Sequence, residues 1–253
     1  MGIVIGVFSA KGGVGKSLVA TNLGAVFAAG HHFPTALIDL NAGLGASDLL
    51  LDLEPERCWS DLLPVTAELA PQHLNLATTQ HDSGLHLLAC PEFPDAQANL
   101  TRESLAALCT AFRQEYALTL LDVPTGMGVI NVAAFHLVDM RLILLTPDAP
   151  ALRATQRYAN SLSKNEKPVG LVLNQYGRGA PVSPKEIESH LGGRLYATLP
   201  VDQSAVWANV SYGQPCALKQ RRGLGRALRG LSKTVLKVAK RSEYWDHNGQ
   251  LSD

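Results

Sequence analysis

The sequence predicts an α/β fold, a doubly wound and mostly parallel sheet with helices on both faces. Three observations carry that expectation. Short apolar runs recur along the chain, segments of helical period separate most of them, and the first run passes through a glycine loop straight into the first helical segment.

The apolar runs are Ile3–Phe8, Thr35–Leu40, Leu85–Ala89, Ala117–Leu121, Met140–Leu145, Val169–Leu173 and Leu195–Leu199. They are nearly continuous rather than alternating, as strands are when both faces of their sheet are covered. Helical spacing marks Lys16–Ala28, Arg102–Gln114, Ala151–Leu162 and Pro184–Leu191. Between Leu53 and Ser83, Pro55, Pro64 and Pro71 interrupt any long element, and this stretch reads as a short helix and loop bordering the site. No repeat or low-complexity linker divides the chain. It reads as one domain over 1–242, followed by a polar tail at 243–253 that is expected to be disordered.

Composition removes several function classes. A chain of 253 residues with 46% hydrophobic side chains can bury a substantial core, and its 22 basic residues balance its 22 acidic ones, so no global field advertises a nucleic acid or a membrane. The four cysteines, Cys58, Cys90, Cys109 and Cys216, stand far apart and make neither a zinc cage nor a redox motif. Eight scattered histidines lack metal spacing. Ser9 has no His and Asp arrangement to make it a nucleophile, and Trp59, Trp207 and Trp245 read as packing or tail residues. Gly2–Val7 is too short for a leader core and no apolar run reaches the length of a membrane span, so the expectation is a soluble, cytoplasmic protein.

The strongest signal is Ser9-Ala10-Lys11-Gly12-Gly13-Val14-Gly15-Lys16-Ser17, set between the first strand and the first helix. Glycines there let successive amides turn inward around phosphate oxygens, and the helix amino end adds its positive dipole. Lys16 is placed to reach the β- and γ-phosphates, and the Ser17 hydroxyl to hold Mg²⁺. Ala10 stands where the usual motif has its first glycine.

Lys11 to Ser17 resembles the deviant phosphate loop of the MinD/ParA ATPases. The resemblance implies ATP and Mg²⁺ as ligands, with Lys11, Gly12, Gly13, Val14, Gly15, Lys16, Ser17 and Leu18 around the phosphates. It also implies a homodimer in the ATP state, in which Lys11 crosses to the partner's nucleotide and stabilises charge on the transferred phosphoryl oxygens. Asp39 matches the first of two family aspartates and is expected near Mg²⁺, whereas the second, which orients the attacking water, is Asn41 here. An amide accepts a hydrogen bond from that water but takes up no proton, so slow hydrolysis with binding retained is expected. Asp122-Val123-Pro124-Thr125-Gly126 resembles the family's second acidic segment, with Asp122 near the metal and Gly126 near the γ-phosphate. Asn174 reads on its own as a strand-end cap or a donor and acceptor for a base edge; the resemblance favours adenine, joined by the loop of Pro200 and Asp202.

Within the family, the segments Leu49–Pro55, Thr146–Arg153 and Leu173–Gly179 look more like the CpaE/TadZ pilus-assembly branch than like cell-division members. No cluster cysteine follows Asp122 between Val123 and Val129, so no metal cluster is expected. From Gln203 to Ser242 there is no acidic residue, while Lys219, Arg221, Arg222, Arg226, Arg229, Lys233, Lys237, Lys240 and Arg241 are basic. Leu224, Leu228, Leu231, Val235 and Val238 form the apolar stripe of a helix whose other face carries Arg226, Arg229, Lys233, Lys237 and Lys240. That face is either plain solvated surface or a contact for anionic lipid, DNA or an acidic partner. Three readings stand: a slow ATPase that positions pilus or secretion machinery at the inner membrane face or cell pole, a non-hydrolysing ATP-bound scaffold, and an ATPase acting on a membrane surface or nucleoid DNA.

Overall fold

The computed structural model describes residues 1–162 and 167–240; the tail expected at 243–253 and the basic Arg241 lie outside the described residues. Chain order runs β1 (Ile3–Phe8), α1 (Lys16–Ala25, continuing as a wider turn over Val26–Gly30), β2 (Thr35–Asp39), α2 (Ser47–Leu51), α3 (Trp59–Leu62), α4 (Pro71–Ala77), β3 (Thr79–Gln80) and β4 (Leu85–Leu88). It continues with α5 (Arg102–Glu115), β5 (Leu118–Asp122), α6 (Val129–Leu137), β6 (Met140–Leu145), α7 (Ala149–Leu162), β7 (Val169–Tyr176), α8 (Pro184–Leu191), β8 (Leu195–Pro200), α9 (Gln203–Tyr212), α10 (Cys216–Lys219) and α11 (Gly223–Ala239).

The eight strands form one sheet in the order β3-β4-β2-β5-β1-β6-β7-β8. All neighbours are parallel except β3 and β4. Every residue of β1, β2, β5 and β6 is buried, which accounts for their nearly continuous apolar runs. Alternate side chains of each strand enter two cores. One joins Val4, Phe8 and Ile38 to Leu105, Phe135, Tyr158 and Ile187 of α5 to α8; the other joins Ile5, Val7 and Leu37 to Leu23 of α1 and Leu228, Leu231 and Val235 of α11. The doubly wound sheet therefore matches expectation.

Local chemistry sets the helix starts. Thr101 accepts from the Ser104 amide at the start of α5, and Ser183 accepts from the Glu186 amide ahead of Pro184 in α8. Several expectations need correction. The 53–83 region holds two short α-helices, α3 and α4, with a 3₁₀ turn between them, and ends in the edge strand β3. Asn174 does not close its strand, because β7 runs on to Tyr176 by pairing with Pro200 of β8 past a register shift. Arg229 is not part of the free basic face: it is half-buried and donates to the Ala217 carbonyl. No helix among the described residues is long and apolar enough to cross a membrane.

A candidate nucleotide site at the carboxyl ends of the strands

Parallel pairing delivers the polar residues to one edge of the sheet. Val7 of β1 and Asp39 of β2 are both register partners of Asp122 on β5, so the two carboxylates end adjacent strands side by side, next to the loop that leaves β1. Ligands of doubly wound sheets bind at this edge.

The loop from Ser9 to Gly15 is pinned at both ends and open in its middle. Ser9 Oγ donates to the Lys11 carbonyl (2.9 Å), and the Gly126 amide donates to the Ser9 carbonyl (3.2 Å). Gly15 begins α1 in the left-handed region at φ 88°, and a Cβ there would lie 2.6 Å from Asn174 Nδ2. By contrast, a Cβ on Gly12 or Gly13 would meet nothing within 4 Å, so the middle of the loop is uncrowded ahead of a helix amino end.

Charged and hydroxyl groups surround that space. Lys16 Nζ donates to Thr125 Oγ1 (2.9 Å), and Ser17 Oγ donates to Asp122 Oδ2 (2.5 Å). The side chain of Asn41 points its amide nitrogen inward, donating to Asp39 Oδ1 (2.8 Å), Asp122 Oδ2 (3.1 Å) and the Asp122 carbonyl (3.2 Å). Asp39 Oδ1 also takes the Asn41 backbone amide (3.0 Å), and Asp39 Oδ2 takes the Ser47 amide (3.2 Å). Asp122 is fully buried and its Oδ1 has no hydrogen-bond partner among the described residues. Burial first, then the Asp39 charge, pushes its carboxyl up to about 7, against the pull of Lys16, Ser17 and Asn41. Cys90 lies beside Asp39, and burial with that charge pushes its thiol up to about 12, so it is inert at neutral pH.

Lys11 sits outside the cradle. Its Nζ pairs with Asp148 Oδ1 at 3.2 Å, and Thr146 Oγ1 (2.5 Å) and the Ala151 amide (2.9 Å) hold that carboxylate. Burial pushes the Asp148 carboxyl up, but these three donors outweigh it and hold it below its usual value.

At the far end, Asn174 is buried and its Nδ2 donates to the Val14 carbonyl (2.8 Å), so in this conformation it braces the phosphate loop. Pro200 ends β8 beside Tyr176, with Val201 bonded to the Tyr176 carbonyl. The neighbouring Asp202 is committed elsewhere. Its Oδ1 accepts from the Ala205 amide (3.1 Å) and Ser204 Oγ (2.9 Å), and its Oδ2 from the Leu224 amide (3.2 Å), capping α9 and α11 together. Asp202 therefore orders the loop and does not present a free carboxylate to a base. Leu18, in the first turn of α1, follows Lys16 and Ser17 and is half-buried.

Lys16, Ser17, Asp39, Asn41 and Asp122, which the sequence predicts to share one site, lie together in the structure, but the sequence pattern does not mark three further supports. Asp148 follows a strand as part of Thr146-Pro147-Asp148, a signal that was visible but carried no function. Thr125 holds Lys16. Trp59 is fully buried, as packing predicts, and its Nε1 also donates to the Asp39 carbonyl (3.0 Å); no local pattern announces that bond.

The residues fit a Mg²⁺-nucleotide. The open glycine cradle, the ammonium of Lys16, the Ser17 hydroxyl and the orphaned Asp122 Oδ1 supply anion and cation contacts where a triphosphate and its metal need them.

Comparison with known proteins agrees. Residues 5–215 match the model of the CobQ/CobB/MinD/ParA nucleotide binding domain. The septum site-determining protein MinD of Bacillus subtilis is 27% identical over 245 residues, covering 93% of this chain and 90% of that protein. Among solved structures, a ParA family ATPase from Chlorobium tepidum superposes with a TM-score of 0.84 at 20% identity, covering 92% of this chain and 99% of that one. MinD of Pyrococcus horikoshii, complexed with Mg-ADP, superposes at 0.82 with 20% identity, covering 94% and 98%. At such identities the structural likeness establishes the fold alone.

Proposed function

Because the chain belongs to the CobQ/CobB/MinD/ParA nucleotide-binding family, we propose that it is an ATP-binding, slowly hydrolysing ATPase whose ATP-bound homodimer positions other machinery in the cell. The observation that carries this reading is the open Gly12-Gly13 cradle flanked by Lys16 and Ser17, with Asp39 and Asp122 behind it.

Ser17, Asp39 and Asp122 would hold Mg²⁺, which would neutralise charge on the phosphate oxygens. Lys16 binds the terminal phosphates, the loop amides cradle them, and Asn174 and Pro200 border the base. Lys11 swings off Asp148 to reach across the dimer. Asn41 positions water without taking its proton, which supports slow turnover. The three segments that resemble the CpaE/TadZ branch support pilus or secretion machinery as the cargo, recruited from the cytoplasm to the inner membrane face or cell pole.

A second reading rests on α11. Arg226, Lys233, Lys237 and Lys240 are exposed, and the ion pairs among the described residues, Lys11–Asp148 and Arg113–Asp139, leave all four without a carboxylate partner. With the apolar stripe buried in the core, that face supports contact with a polyanionic surface such as DNA or acidic lipid.

Mass in solution with ATP, with ADP and without nucleotide tests the switch, and phosphate release with Lys16→Ala as the blank tests turnover. A mass that never changes removes the switch. Unchanged mass with ATP bound and no phosphate release leaves a scaffold. Reversal of Arg226, Lys233 and Lys237 to Glu, assayed on duplex DNA and anionic vesicles, tests the second reading, which falls if nothing bound is lost.

A further inference from the structure

The side chain of Asn41 does something its place in the motif does not announce. Asp39 is 1% and Asp122 0% exposed, and they end adjacent strands in direct register. Two buried carboxylates so placed repel each other, and hydrogen-bond donors between them lower that cost. In this chain the group between them is the Asn41 amide. Its Nδ2 lies 2.8 Å from Asp39 Oδ1 and 3.1 Å from Asp122 Oδ2, with the Asp122 carbonyl as a third acceptor at 3.2 Å. The Asn41 backbone amide adds a bond to Asp39 Oδ1, and Ser17 Oγ one to Asp122 Oδ2. Asn41 thus ties together Asp39 and Asp122, two of the residues the proposed function assigns to the metal, through Asp39 Oδ1 and Asp122 Oδ2, while Asp122 Oδ1 stays without a partner among the described residues.

We propose that Asn41 is an internal substitute for the divalent cation, clamping Asp39 and Asp122 together so that nucleotide binding depends on Mg²⁺ far less than it would with a carboxylate at position 41. This inference rests on the nucleotide-binding reading above. Two effects act in one direction. The amide bonds supply donors to Asp39 Oδ1 and Asp122 Oδ2 when no metal is present, and they must be given up before a cation can take either of those two oxygens. Removal of a third negative charge also weakens the attraction of the site for a dication.

The test is calorimetric affinity for ADP, measured on the full chain in EDTA and in excess Mg²⁺, and expressed as the ratio of the two dissociation constants. ADP keeps turnover out of the readout. Wild type, Asn41→Asp and Asn41→Ala are compared. A carboxylate at 41 is expected to raise the ratio about tenfold or more, and removal of the clamp without added charge about fivefold. Melting temperature in EDTA is expected to fall in both variants and to recover with Mg²⁺ more in Asn41→Asp than in wild type. Equal ratios in all three proteins overturn the proposal. If Asn41→Asp does not fold, the Asn41→Ala ratio decides alone, and a ratio unchanged from wild type overturns it. If folded wild type binds ADP in neither condition, the nucleotide-binding reading falls, and the clamp falls with it.

Discussion

Asp148→Asn isolates the contact that holds Lys11 away from the site. The pair is single and short, 3.2 Å from Nζ to Oδ1, and its side chains are 46% and 37% exposed. Solvent screens a pair this open, so it contributes about 0.2–1 kcal/mol rather than the value of a buried bridge. A two-fold dimer in which both lysines cross must break two such pairs, or about 0.4–2 kcal/mol in total. Released from that cost, the ATP-bound dimer should tighten about 2- to 30-fold. Asparagine caps a helix as well as aspartate, so the Ala151 contact survives while the negative charge is lost. Sedimentation equilibrium at saturating ATP gives the constant at low salt and at about 1 M salt, where the Debye length falls to roughly 3 Å and the difference between wild type and variant should shrink. An unchanged or weaker dimer at low salt refutes the reasoning, because Asp148 would then not restrain Lys11, or would itself help to hold the dimer.

Other consequences follow from the same site. Asp122 titrates near 7 in the folded protein against an ordinary carboxyl value of 3.8, so between those values the folded state holds a proton that the unfolded state has lost. Stability of the nucleotide-free protein should therefore fall as pH rises through that interval and level off above about 7; Asp122→Asn should flatten the profile in denaturant titrations, and a wild-type profile that rises instead contradicts the assignment. Trp59→Phe removes the donor to the buried Asp39 carbonyl, and should cost about 1–3 kcal/mol in urea unfolding as well as weaken nucleotide binding. Gly15→Ala forces a side chain into the left-handed region and onto Asn174 Nδ2, so binding should fall while circular dichroism stays native; full affinity would mean that the loop is not the cradle.

Much of the fold was legible because the physics that shapes it is local or repetitive. Ile3–Phe8 and Met140–Leu145 are found with the bounds their apolar runs predict, since both faces of each strand are covered. Pro184–Leu191 is found likewise, because Ser183, Pro184 and Glu186 mark its start. What escaped lacks such marks. Helix α9 carries no charged residue, so its apolar positions show no face, and α6 is apolar almost throughout. Strand β3 has two residues and exists only through its pairing with β4.

The site divides in the same way. The phosphate loop and Asp122 are readable because chemistry demands those residues next to one another or at a strand end. The inward turn of the Asn41 amide, the double cap made by Asp202 and the Trp59 bond to Asp39 depend on distant parts of the chain meeting, with separations of up to 81 residues. No short motif of sequence marks these long-range partners. Asn41 shows the limit most plainly: its identity suggested a weak partner for water, whereas its surroundings make it a donor to two buried carboxylates.

Titration calorimetry of the folded protein with Mg·ATP, wild type beside Lys16→Ala, reads nucleotide binding at the glycine loop without any coupled step. One saturable site per chain is expected, weakened about 10- to 100-fold when the Lys16 ammonium is removed. Absence of heat from wild type whose fold is verified, or equal affinity in the two proteins, contradicts it.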